Sequence, residues 1–279
     1  MIFLLIMTPY RIEAGFVEII NRNKTLFRNG VKVYSEDLYI EALRGSETSN
    51  YLELLDSVYV KSKETQIIAN RLYYYTPYKK LFAKGDIKIW RKDTIKGDSL
   101  VYDRESDTGE MFGNLIYISD SIIIRGNSAN FSRDTVRVKG RSQFNSPGIT
   151  VLSDSIIYFI EDSTFLFLSN VQFEGSEIKG SSEILEHSTN KKHSTLFDSP
   201  YIFQELDSIT GIRIDIDHRD KTLSALDGIA INYTEEGRNK VEGDTVKVYY
   251  NEKSIDSVVV LQGAQGRFIK DETGIEESR

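Results

Sequence analysis

A chain of 279 residues with a formal net charge of −7 lacks the basic surplus that neutralises a phosphate backbone, so nucleic acid is not an expected partner. It has no cysteine, which excludes disulfides, thiolate metal sites and a thiol nucleophile. Its hydrophobic content of 40% is too high for a disordered chain. The 16 Tyr, 14 Phe and four Pro, with no sustained 3.6-residue apolar period, predict an all-β protein.

The N-terminus contains the short apolar run IFLLIM, far shorter than the roughly 20 residues that span a bilayer. Residues 1–11 are interpreted either as the remnant of a signal peptide or as an N-terminal cap of the first strand. Residues 12–269 are predicted to form one repeat domain, because no change in composition divides them. Residues 270–279 are interpreted as a charged C-terminal tail.

Two sequence patterns alternate along the chain with a shared period of about 28 residues. The first, seen in IKGDSLVYD, has a short polar residue followed by apolar residues two and four positions further on. The second, seen in LFAKGDIKI, has Gly, Asn or Asp in the middle of the strand. Together they predict about nine copies of a two-strand unit, with a bulge or bend in mid-strand. The polar residue of the first pattern falls at Asn70, Asp98, Asn127, Asp154 and Asp244, with degenerate members at Ser181 and Ile212.

Alternation along each strand predicts one apolar face and one polar face. Leu100 and Tyr102 are examples of expected inward residues, and the same rule applied to LSALDGIAI selects Ile229 and Ile231. A two-strand unit cannot bury its apolar face alone, but stacked units cover one another. The open ends of such a stack expose unpaired strand edges, which need a cap or a partner chain.

The histidines do not form a predicted site. His187 and His193 are six residues apart in a stretch interpreted as a polar turn, which suits no metal geometry. In IDIDHRD, Asp215 and Asp217 point outward in the strand register, so the acidic groups around His218 are interpreted as a solvated face. Neither a phosphate-binding loop nor a nucleophile elbow is present, so we expect no enzyme activity, cofactor or metal.

The succession of these motifs resembles the OstA-like superfamily, which comprises the lipopolysaccharide-transport periplasmic proteins LptA and LptC and the N-terminal domain of LptD. The most typical stretch is IKGDSLVYDRESDTGEMFGNLIYI, from Ile95 to Ile118. RIEAGFVEIINRNKTLFRNGVKV, from Arg11 to Val33, looks like the first unit of such a domain. The resemblance extends from about Arg11 to Phe268.

The resemblance implies an elongated, twisted β-jelly roll of two facing sheets, a β-solenoid open at both ends. It implies a periplasmic protein of a Gram-negative envelope that shields lipopolysaccharide acyl chains in a hydrophobic groove. Edge-to-edge pairing with other OstA-like proteins, or with another copy of this chain, would bridge the inner and outer membranes. The residues expected to line the groove are Leu72, Tyr74, Ile87, Ile89, Leu100, Tyr102, Met111, Leu115, Tyr117, Phe131, Val138, Phe144, Ile156, Tyr158, Phe167, Val171 and Phe173.

Two alternatives stay open at this point. One is a carbohydrate-binding or polysaccharide-degrading β-helix, although the polar faces show no repeated acidic and aromatic cleft and the unit is longer than typical coils of about 20 to 25 residues. The other is a purely structural solenoid, in which the same inward residues pack against each other as a core.

Overall fold

The computed structural model describes residues 10–75, 78–176, 178–234, 237–251 and 255–270. Residues 1–9 and 271–279 lie outside the described residues, and with them most of the predicted N-terminal segment and the charged tail. The described residues form 22 strand segments and no α-helix, which confirms the all-β prediction. None of them forms a helix long and apolar enough to cross a membrane. The chain divides into two compact units, Met1–Ser142 and Gln143–Arg279.

In the first unit the strands form an antiparallel ladder in chain order. The strands are β1 (Arg11–Asn21), β2 (Lys24–Ser35), β3 (Leu38–Ala42), β4 (Arg44–Thr48), β5 (Leu52–Ser62), β6 (Thr65–Tyr75), β7 (Lys80–Trp90), β8 (Thr94–Asp103), β9 (Thr108–Ser119) and β10 (Ile122–Phe131). β3 and β4 are the halves of one interrupted strand, because both pair with β2 and with β5. β11 (Thr135–Ser146) runs across the division between the units in the sequence.

The second unit is also an antiparallel ladder. Its strands are β12 (Ile149–Phe159), β13 (Thr164–Gly175), β14 (Lys179–Ser188), β15 (His193–Phe197), β16 (Tyr201–Gln204), β17 (Asp207–Thr210), β18 (Arg213–Asp217), β19 (Thr222–Thr234), β20 (Gly237–Tyr250), β21 (Ile255–Leu261) and β22 (Gln265–Lys270). Here β15 with β16, β17 with β18, and β21 with β22 are halves of interrupted strands.

The strand count agrees with the predicted repeat. The 22 segments include four interrupted strands of two segments each, so the described residues hold 18 strands, or nine consecutive pairs. The pairings are antiparallel, unlike the parallel stacking of a β-helix.

The strands bend at the polar residues of the two sequence patterns. Where β8 pairs with β9, the register shifts between Lys96 and Ser99, opposite Gly113 and Asn114, whose φ angles are 75° and 46°. Nδ2 of Asn114 donates to Oδ2 of Asp98 at 2.8 Å, so the polar residue of one strand packs over the left-handed pair of the next. The predicted mid-strand bend is therefore confirmed. A polar side chain of the first pattern also packs against a left-handed glycine at Asn70 with Gly85, Asn127 with Gly140, and Asp244 with Gly263.

The bends fold each ladder into two walls. Arg104 follows β8 and Asp37 follows β2, at opposite strand ends of the ladder, because β2 and β8 run in opposite directions. A strand of ten residues such as β8 spans about 33 Å. The side chains of Arg104 and Asp37 are nevertheless hydrogen-bonded. The two halves of each strand therefore lie in different walls. The strand-end turns of the two walls meet along one line, which we call the seam.

One predicted pair of inward residues is wrong. Ile229 and Ile231 are partly exposed, and the inward positions of β19 are Gly228 and Ala230. The left-handed residue here is Asp227, with a φ of 47°, and Gly228 already belongs to the inward face. The sequence rule takes Asp227 and Gly228 together as the bend and places the first inward residue at Ile229. Because Gly228 is already inward, each later side chain lies on the face opposite to the predicted one.

Candidate functional site

The seventeen predicted groove residues all lie on the inward faces of their strands, each at most 6% exposed. Eleven belong to the first unit and six to the second. Their burial agrees with the predicted inward faces. Their contact with a lipid stays a prediction, because buried side chains of this kind also form an ordinary core.

The seam of the first unit is closed by two arginines. Nη1 of Arg104 donates to the hydroxyl of Tyr74 at 3.0 Å, and the same guanidinium pairs with Asp37. Nη2 of Arg91 lies 2.7 Å from the carboxylate of Asp107. These charged contacts hold the two walls together above an apolar interior.

Two further predicted groove residues also reach this seam with their hydroxyl groups. Tyr102 donates to Oδ1 of Asp107 at 2.5 Å, and Tyr117 donates to Oδ2 of Asp93 at 2.5 Å. Burial, followed by the hydrogen bond to Asp107, raises the pKa of Tyr102. The rings of Tyr102 and Tyr117 therefore face the interior, while their hydroxyls belong to the polar seam.

The second unit contains a cavity of about 350 Å³ at its seam. Its apolar lining includes Leu185 and Ile216 from one wall and Phe173 and Ile178 from the other. Of the seventeen predicted residues, Phe173 alone is among the described residues that line it. A cavity of this size lies at the lower end of the range for small-molecule sites.

A chain of hydrogen bonds joins three side chains of the cavity lining. His187 on β14 is opposite Ser194 on β15 in the strand register, and its Nδ1 lies 2.9 Å from Oγ of Ser194. The same Oγ lies 2.7 Å from Nε2 of His218, and the two imidazole rings are 5.8 Å apart. Burial, followed by the neighbouring His218 and His193, lowers the pKa of His187 to about 4. His187 is therefore neutral at pH 7.

The sequence interpretation of these histidines was wrong. His187 and His193 lie in β14 and β15 rather than in a turn, and His187 is only 9% exposed. His218 lines the cavity instead of standing on a solvated face. The signal was present, since His187 follows the buried Leu185 by two positions and His218 follows the buried Ile216 by two.

The outward placement of the neighbouring acidic residues was correct. Asp215 and Asp217 alternate with buried isoleucines on β18 and are partly exposed. No group of three or more side chains suited to holding a metal ion occurs in the part of the chain that the structure describes.

Two lysines complete the cavity. Lys192 and Lys221 both line it, from the turns that precede β15 and β19. No carboxylate occurs among the described residues of the lining, although the whole chain has a net charge of −7. The cavity thus combines an apolar surface with an end that contains two lysines and three hydrogen-bonded polar side chains.

The described residues define an all-β protein in which, within each unit, bent strands form two walls around an apolar interior. No protein-family model matches the sequence, and no curated protein matches it. Eleven chains of solved structures match. One is LptH of Pseudomonas aeruginosa, described as the LptA homologous periplasmic component of the conserved lipopolysaccharide transport device. The match covers 47% of this chain and 80% of that chain, with 14% identity and a TM-score of 0.24.

Proposed function

We propose that this protein is a periplasmic carrier that shields the acyl chains of lipopolysaccharide between the two walls of a ladder. The observation that carries the proposal is the folding of each ladder into walls with inward apolar columns, which in the first unit are closed along a polar seam. The sequence resemblance to the OstA-like superfamily supports lipopolysaccharide as the cargo and the periplasm as the location.

The energetics of this cargo are favourable. Each methylene that leaves water gains about 0.8 kcal/mol, so a lipid with several chains gains most from a long apolar interior. The inward residues of the first unit are buried, so an entering chain must separate the walls. The contacts to be broken include the ion pair of Arg104 with Asp37 and that of Arg91 with Asp107. The side chains of Asp37 and Asp107 are 46% and 43% exposed. Water can solvate those carboxylates once the walls part.

We also propose that the terminal strands pair edge to edge with other proteins of this kind, including another copy of this chain, to bridge the inner and outer membranes. β1 exposes Phe16 and Ile19, at 47% and 62%, and β21 exposes Val259 and Leu261, at 42% and 50%. Large apolar side chains on terminal strands favour contact with a further strand.

Photo-crosslinking tests the carrier function. A photoreactive phenylalanine analogue is introduced at Tyr117 or Phe131, both buried inward, or at Lys96 on the outer face of β8 as the matched control. We expect adducts with lipopolysaccharide at the two inward positions and none at Lys96. The same yield at all three positions, or no adduct at any, would rule out an interior that carries lipid and leave a structural solenoid.

A further inference from the structure

The cavity of the second unit has an end that the carriage of acyl chains does not require. An acyl chain needs only apolar walls, yet two imidazoles, a serine and two lysines line this cavity. His187 and Ser194 are buried, and burying polar side chains without a hydrogen-bonding role is unfavourable. The hydrogen bond between them leaves one ring nitrogen, Nε2 of His187, for a further partner.

The hydrogen-bond chain allows His187 to offer a donor to the cavity. The hydroxyl of Ser194 lies between two imidazole nitrogens and has one proton, so it can donate to one ring while it accepts from the other. When it donates to Nδ1 of His187, the neutral ring bears its proton on Nε2. That nitrogen has no hydrogen-bond partner among the described residues, and the side chain that bears it is more than nine-tenths buried and lines the cavity.

We propose that this cavity binds a single-chain anionic amphiphile. The alkyl chain lies against Phe173 and Leu185, and the carboxylate or phosphate head group accepts a hydrogen bond from His187 and pairs with Lys192. This proposal rests on the proposed function, because it requires the same apolar interior. It adds the chemistry of the head group and limits the ligand of this cavity to one alkyl chain. At about 350 Å³ the cavity is too small for a lipid with several acyl chains.

The head-group chemistry follows from charge. With the ammonium of Lys192 in the lining, the cavity favours an anion over a neutral head group of similar size. A hydrogen bond from a buried N–H to an anion is stronger than one to a neutral acceptor. Carboxylate and phosphate share this chemistry, so a fatty acid and an alkyl phosphate are both suitable ligands.

The test is calorimetric titration of the full chain with decanoate, decyl phosphate and decanol, which share one alkyl chain. We expect binding of one molecule of decanoate, of decyl phosphate, or of both, and at least tenfold weaker binding of decanol. Binding of decanoate alone identifies a fatty acid, and binding of decyl phosphate alone identifies a phosphorylated lipid. Equal affinity for decanol and the anions, or no binding of any probe, would overturn the proposal.

Neighbouring lysines provide the matched variants. Lys192→Gln removes an ammonium from the lining and should weaken binding of the anion roughly fivefold to tenfold, with decanol unaffected. Lys191→Gln removes the adjacent exposed lysine, which does not line the cavity, and should change neither. Equal effects of the two variants would refute the assigned head-group site. Anion binding without lipopolysaccharide adducts at Tyr117 and Phe131 would leave this site standing and remove the proposed carrier function.

Discussion

Replacing Gly113 with alanine tests the mid-strand bend directly. Gly113 has a φ of 75°, and a Cβ there would lie 2.4 Å from Oδ2 of Asp98, the oxygen that accepts a hydrogen bond from Asn114. Gly30 has a similar φ of 85°, but nothing lies within 4 Å of a Cβ at its position. Gly30→Ala therefore has the same backbone cost without the crowding and is the matched control.

The expected losses can be worked out separately. Alanine in the left-handed conformation costs about 1–2 kcal/mol, and this applies at both glycines. At Gly113 the carboxylate of Asp98 must also move, which weakens its bond with Asn114 and adds about 1–2 kcal/mol. We therefore expect the free energy of unfolding to fall by about 1–2 kcal/mol for Gly30→Ala and by about 2–4 kcal/mol for Gly113→Ala.

Tryptophan fluorescence provides the assay. Trp90 is the one tryptophan of the sequence and lies on β7, so its emission during a urea titration reports the unfolding of the first unit. Adding Asp98→Ala to Gly113→Ala removes the crowded carboxylate and should recover part of the lost stability. The reasoning is refuted if Gly30→Ala and Gly113→Ala lose the same amount, or if the double variant is no more stable than Gly113→Ala.

The second unit gives two further predictions. Because burial lowers the pKa of His187 from 6.5 to about 4, the unfolded chain binds a proton between these pH values that the folded chain does not, so stability falls as the pH drops through this window. Urea titrations followed by circular dichroism should show about 2 kcal/mol more loss between pH 7 and pH 5 for the wild type than for His187→Gln, and equal losses would contradict the assignment. Phe144 contacts the rings of Phe165 and Phe167, with centroids 4.7 and 5.3 Å away, so Phe144→Ala should lower the free energy of unfolding by about 3–5 kcal/mol. Phe159→Ala, at a side chain 38% exposed, should cost much less, and a similar loss in both variants would argue against this cluster as a core.

The repeat and the inward faces were predictable because their causes are local. A left-handed pair such as Gly113 and Asn114 needs glycine or a short polar side chain, and its neighbour Asp98 lies on the adjacent strand. These residue types therefore recur with the period of the repeat in the sequence. Where the left-handed position shifted by one residue, at Asp227, the same rule placed Ile229 on the wrong face.

The histidines of the cavity were missed for a different reason. A polar residue at an inward position looks like the end of a strand, because alternation is recognised by apolar side chains. His187 and Ser194 are hydrogen-bonded to each other across two strands, which lowers the free-energy cost of burying them. Only the three-dimensional pairing shows that partner.

The seam determines whether the interior is a core or a site, and it has no periodic signal. Arg104 and Asp37 are 67 residues apart in the sequence and meet only because the ladder folds back on itself. In the first unit such pairs draw the walls together, whereas in the second unit Lys192 and Lys221 line a cavity at the corresponding edge. Units built from one repeat thus differ at the line where a ligand would enter. It is this line, more than the inward columns they share, that the proposed carrier function depends on.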